Sequence, residues 1–212
     1  MSPTEATPQL PVTALRGFIR PRPKVESCEL CSLPIGPEHS HLIEVQSRRL
    51  VCSCDACAIL FSGQQNGRYR RVPRRIENLT DFQLTDAQWE NLHLPINLAF
   101  FFFSTPAKRV VAMFPGPAGA TESLLTLEAW KDLTVANPIL GEFDPDVEAL
   151  LVNRVALARE YHRVPIDECY KLVGLIRMHW RGLSGGVEVW EHIARYFDEL
   201  KNKSVSKRGP NA

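Results

Sequence analysis

Five of the six cysteines fall within thirty residues, as Cys28-Glu-Leu-Cys31, Cys52 and Cys54-Asp-Ala-Cys57. A C-x2-C pair lets two thiolates converge on one cation from a tight turn. Two such pairs supply four sulfurs at about 2.3 Å from a shared ion, the tetrahedral arrangement that zinc prefers. The expected ligands are Cys28, Cys31, Cys54 and Cys57, and the expected ion is a structural zinc. An iron centre of rubredoxin type is the alternative, since four thiolates suit both metals. Three further donors complicate the set. Cys52 lies two residues before Cys54, so on an extended strand it shares that residue's face and could replace it. His39 and His41 could supply nitrogen. Four positions do not hold seven donors, and the simplest reading keeps Cys52 as a buried thiol and the two histidines as polar hairpin residues. A closed four-sulfur site has no position for water or substrate, so it points to a folding role; three thiolates and a water would reverse that conclusion.

The segments around these cysteines carry the pattern needed to position them. Residues 41–45 and 48–52 read as two short strands around a Gln46-Ser47 turn. After Cys54 the apolar run Ala56 to Phe61 ends at Ser62-Gly63, as a short helix does. The helix N-terminus favours thiolate at Cys54 and Cys57. A turn with two ligands, a hairpin, and a helix whose first turn brings two more resembles a treble-clef zinc finger over roughly residues 25–62.

From Gly67 the elements alternate, and the expected fold class is α+β or mixed α/β: a treble-clef-like zinc module followed by a small mixed sheet with helices. Arg68, Arg70, Arg71, Arg74 and Arg75 crowd eight positions without an acid, either as a strip for an anion or partner or as a connecting strand kept at an edge by Pro73. Thr85-Asp-Ala-Gln88 is a capping box that starts a helix. Residues 97–104 and 109–114 read as a hairpin, with Phe100 to Phe103 implying a strand covered on both faces. Residues 114–123 read as a Gly/Pro loop leading to a helix near 126–137. Strands are expected at 147–152 and 161–165. Asp167 is expected to cap a helix with Cys169, Leu172, Val173, Ile176 and Trp180 on one stripe, and a last helix to carry Val187, Trp190, Ile193, Ala194, Phe197 and Leu200 inward. His162, Asp167, Glu168, Cys169, His179 and His192 are the remaining residues with chemical potential, but no nucleophile motif surrounds Cys169, and no catalytic residue is assigned.

The whole chain has 212 residues, a net charge of +1 and 44% hydrophobic residues. That balance disfavours a nucleic-acid partner, which usually demands a basic excess. No apolar run reaches the roughly 20 residues of a membrane span. The Pro-rich first residues lack the apolar stretch of a signal peptide, so reduced thiols and a cytoplasmic location are expected. The expected organisation is a disordered arm at 1–24, the zinc module at 25–66, a mixed α/β domain at 67–201, and a disordered tail at 202–212.

CELC with HSHL, LVCSCDACAILF, FPGPAGATES, DVEALLV and VPIDECYKLVGLIRMHWRGLSGG together resemble a bacterial family of uncharacterised function, often encoded among accessory genes of uptake nickel–iron hydrogenases. The resemblance spans most of residues 26–200. It implies a context, hydrogenase assembly or function, and carries no residue roles. The expectation is a non-enzymatic, zinc-stapled accessory protein that binds a protein partner, plausibly a hydrogenase subunit or maturation factor; a redox carrier or enzyme with an iron–thiolate or open zinc site is the alternative.

Overall fold

The computed structural model describes residues 26–63, 67–123, 127–182 and 184–207. The arm expected at 1–24 lies outside them. The chain folds as a mixed α+β protein with two sheets. The smaller sheet is built from β1 (Ser40–Glu44), β2 (Arg49–Ser53) and β3 (Tyr69–Arg71), with β1 in the centre. In the β1–β2 hairpin, Leu42 faces Val51 and His41 faces Cys52. Arg48 closes its turn at φ +56°. Helix α1 (Asp55–Ser62) follows β2 at once.

The larger sheet holds seven strands: β4 (Glu77–Leu79), β5 (Leu98–Ser104), β6 (Arg109–Gly116), β7 (Gly119–Ser123), β8 (Glu148–Asn153), β9 (Glu160–Pro165) and β10 (Val205–Lys207). Their spatial order is β10-β4-β9-β8-β5-β6-β7. All neighbours run antiparallel except β10 on β4. Helices α2 (Asp86–Glu90), α3 (Leu127–Ala136), α4 (Ile166–His179) and α5 (Gly186–Lys203) cover it.

Strand alternation splits β5 and β8 between two cores, because successive side chains leave opposite faces of a pleated strand. Phe100, Phe102 and Leu151 pack with Cys169, Leu172 and Ile176 of α4 and Ile193 and Phe197 of α5. Phe101, Leu150 and Val152 pack on the other face with Trp89 and Leu133. The four-phenylalanine run is therefore covered on both faces for its first three rings, while Phe103 is 43% exposed at the strand end. The hairpin expected at 97–114 forms with Phe100 opposite Met113, and the capping box at Thr85 is complete, with both reciprocal hydrogen bonds.

Several expectations need correction. The Gly/Pro stretch at 114–123 is a tight hairpin, with Pro115 opposite Ala120 on β6 and β7; Pro115 lies past the end of the β5–β6 register at Met113, so no ladder on that side asks for the N–H it lacks. The stripe of α5 is Val189, Ile193, Tyr196, Phe197 and Leu200, while Val187 and Trp190 sit on exposed positions of its first turns. Gly185 sets that entry at φ +88°, where a Cβ would lie 2.8 Å from Val189 Cγ1, so only glycine fits. The chain after residue 202 does not begin a tail at once: α5 runs to Lys203 and β10 adds an edge strand. Residues 208–212 lie outside the described part.

The two sheets share a core. Ile43 of β1 and Val72, which follows β3, belong to the same cluster as Phe100 and Leu151. Burying each contributes about 1.5–3 kcal/mol. Around that apolar seam, Arg48 reaches Glu122 of β7 at 3.0 Å and lies over the Phe102 ring. Arg70 donates to the Pro145 carbonyl at 2.6 Å.

Candidate metal centre

Cys28 and Cys31 sit on a tight turn. The Cys28 amide donates to the Leu33 carbonyl, and the Ser32 amide returns to the Cys28 carbonyl, both at 2.8 Å. Ser32 takes a positive φ to close it. The other pair is fixed by α1. Cys54 is its N-cap, Cys57 lies one turn in, and the Cys57 amide points at the Cys54 sulfur, 3.5 Å away. Two hydroxyls hold this corner in place: Ser40 donates to Asp55 at 2.6 Å and Ser53 to the Ser40 carbonyl at 3.0 Å.

The sulfurs of Cys28, Cys31, Cys54 and Cys57 all lie within 4.8 Å of one another. Those of Cys31 and Cys54 are 3.7 Å apart. A tetrahedron with 2.3 Å metal–sulfur bonds has edges of about 3.8 Å, so the spacing suits one shared ion and is far too long for a disulfide. The donors also need a cation electrostatically. Burial works against the Cys28 thiolate, yet the amides of Cys54, Leu30 and Cys31 hold its pKa down to about 6. Burial and the neighbouring sulfurs of Cys31, Cys54 and Cys28 push Cys57 up to about 12. Four sulfurs this close cannot all ionise without positive charge between them, and a dication supplies it. The cluster is consistent with a metal such as zinc.

The three alternative donors are not part of this group. His39, His41 and Cys52 form a set of their own, with ligand atoms again within 4.8 Å of one another. The Cys52 thiol is pushed up by burial, then by Glu29 and Glu26. Its residue is only partly buried.

The remaining residues singled out by sequence fall into separate places. Cys169 is completely buried among the α4 core residues, and burial pushes its thiol far up. His162 is also fully buried, beside Phe197, with both ring nitrogens unpartnered. Burial drives its pKa down to about 4. Glu168 accepts from the Tyr196 hydroxyl at 3.2 Å. Asp167 does not cap α4. Pro165 is the N-cap residue, and the Asp167 carboxylate instead reaches His41 Nδ1 at 2.7 Å, from the other end of the chain. His179 and His192 stack with ring centroids 3.6 Å apart, with Glu188 3.4 and 3.7 Å from them.

The arginine strip is largely spent on the fold. Arg68 pairs with Glu44, Arg70 with Asp146, and Arg75 with Glu148 and Glu77. Glu148 and Arg163, diagonal to each other across β8 and β9, form a buried ion pair that sequence reading missed. An acid and an arginine inside otherwise apolar strands, DVEALLV and YHRVP, were the available signal. Burial pushes the Glu148 carboxyl up, but Arg163, the Asp144 amide and Arg75 hold it below its ordinary value.

The profile of a family of unknown function, DUF5947, matches residues 27–204. The chain belongs to that family. The match takes in the cysteine cluster and every strand of the two sheets except β10, ending at the residue before it. No curated protein and no solved structure matches the chain. Among the described residues no helix is long and apolar enough to cross a membrane.

Proposed function

We propose that this chain is a non-enzymatic accessory protein of the cytoplasm, stapled by zinc at Cys28, Cys31, Cys54 and Cys57 in a treble-clef-like module, and that it binds a protein partner through that module. The partner proposed is a subunit or maturation factor of a nickel–iron hydrogenase, on the strength of the family resemblance carried by the motifs above. One observation carries the reading. The helix that holds Cys57 inward presents Ile59 and Leu60 outward, 65% and 69% exposed, beside the half-exposed Phe61. Scattered single apolar residues are ordinary on a surface, but three in succession on a metal-anchored helix make a rigid apolar contact. The arginines at 68, 70 and 75, already engaged within the molecule, are left out of that surface.

The test is a pull-down of the tagged full chain from a native host under hydrogenase-inducing conditions. The expected result is recovery of a hydrogenase subunit or maturation factor, lost with Ile59→Asp/Leu60→Asp, and lowered hydrogenase activity in a deletion strain. Recovery of no hydrogenase component, with normal activity in the deletion strain, overturns the partner assignment.

A further inference from the structure

We propose that His39, His41 and Cys52 form a second metal site, distinct from the four-thiolate cluster, which takes a divalent ion of the zinc class and leaves one coordination position open. His41 stands opposite Cys52 on the β1–β2 hairpin, and His39 precedes it by two residues, the spacing that returns a side chain to the same face of an extended chain. The three ligand atoms lie within 4.8 Å of one another. The imidazoles meet edge to face, with centroids 4.7 Å apart.

The way each ring is held separates this triad from a chance cluster. His41 Nδ1 lies 2.7 Å from the Asp167 carboxylate, and His39 Nδ1 lies 2.8 Å from the Gly36 carbonyl. Histidines that ligate metals characteristically give their second nitrogen to a carboxylate or a backbone carbonyl, which fixes both tautomer and ring direction. With Nδ1 donating in each ring, Nε2 carries the free lone pair. The His39 side chain is only 8% exposed, and its Nε2 is buried without a hydrogen-bond partner. A metal ion is the electrophile that satisfies it.

Cys52 is held as firmly. Its amide donates to Glu29 Oε1 at 2.8 Å, and its carbonyl accepts from the Glu29 amide at 2.9 Å. Two imidazoles and a thiolate suit late first-row ions. Three protein ligands leave a fourth position for water or an exchangeable ligand, in contrast to the closed set beside it. Asp167 belongs to the first turn of α4, so the site also ties the hairpin to the larger sheet's helices. The His179–Glu188–His192 set differs: Glu188 is paired with both rings, and neither ring has an orphaned buried nitrogen. The inference goes beyond the proposed function and does not rest on it, since partner capture is read at Ile59 and Leu60.

The test is titration of the metal-stripped full chain with cobalt(II), followed by absorption spectroscopy. The expected result is two equivalents bound. One gives the intense sulfur-to-cobalt bands of four thiolates, and the other a weaker band of a single thiolate that shifts when azide enters the open position. His39→Ala and His41→Ala remove the second equivalent and leave the four-thiolate spectrum intact, which also reports that the hairpin is folded. Cys52→Ser removes the single-thiolate band. Asp167→Asn, which touches no metal, weakens the second equivalent by roughly 10–100-fold and leaves the first unmoved. The proposal is overturned if only one equivalent binds, if His39→Ala alters the four-thiolate spectrum, or if the second equivalent survives His39→Ala and disappears with His192→Ala.

Discussion

The cysteine-rich end and the seven-stranded sheet solve the same problem with different means. Around the hairpin, the local core is small: Leu42, Val51 and Ala58, plus the buried sulfurs of Cys28, Cys54 and Cys57. So few apolar side chains do not offset the ordering of nearly forty residues, and small units of this kind normally depend on a metal. The larger sheet instead fills both faces with apolar side chains from β5, β8 and four helices. It can therefore carry a buried ion pair and an unpartnered histidine, costs a small core could not bear. Dependence on metal and tolerance of internal polarity are thus distributed oppositely across one molecule.

Removing a thiolate probes the contrast most strongly. Cys28→Ser or Cys57→Ser is expected to release the metal and unfold residues 26–63, a loss of several kcal/mol, because metal binding and local folding are one equilibrium. Hydrogen exchange should show β1 and β2 unprotected, while Trp89 and Trp130, on the face away from Ile43 and Val72, keep native emission. Global unfolding, with all four tryptophans shifted, would break the comparison and make the metal a support for the entire core.

Next is the polar interior of the larger sheet. Glu148→Gln leaves the Arg163 guanidinium, 2% exposed, without its closest countercharge. A loss of about 3–5 kcal/mol in denaturant unfolding is expected, with bound metal unchanged. A loss within the range of an exposed substitution would show that Glu77 and Glu142 suffice for Arg163.

His162 gives a pH signature for the same region. Its folded pKa of about 4 lies below the unfolded value of 6.5, so between these values the unfolded chain binds the extra proton. The folded state has its full stability above pH 6.5 and loses about 3 kcal/mol as pH falls toward 4. His162→Phe should flatten that part of the stability-versus-pH curve. An unchanged slope would place the sensitivity elsewhere.

The smallest expected effect is at Cys52. In His39→Ala chain loaded only at the four-thiolate site, Cys52→Ser should cost about 1 kcal/mol, the scale of one altered, partly buried side chain. A collapse as large as that of Cys28→Ser would mean that Cys52 belongs to the four-thiolate set.

The sequence made local features legible and distant pairings obscure. The C-x2-C spacing, the hairpin, the capping box and the apolar stripe of α4 are set by residues within one or two turns of each other, and each appears where the pattern places it. What it did not disclose depends on separations of many tens of residues. Asp167 read as a cap because nothing near it hints at His41, 126 positions earlier. The three surplus donors read as rivals for one ion, because only the hairpin register separates His41 and Cys52 from the knuckle cysteines. The first turns of α5 misled for another reason: Val187 and Trp190 have the helical period but lie off the face that Val189 and Ile193 turn into the core.

X-ray absorption at the metal edge tests most directly whether zinc held by four sulfurs sustains the cysteine-rich end. His39→Ala chain purified without chelator suits the measurement, because it retains only the four-thiolate site. Zinc held by the four thiolates gives colourless protein with one zinc per chain and a first shell of four sulfurs at about 2.3 Å. A nitrogen or oxygen neighbour in that shell, or iron with visible thiolate bands that bleach on reduction, would contradict it.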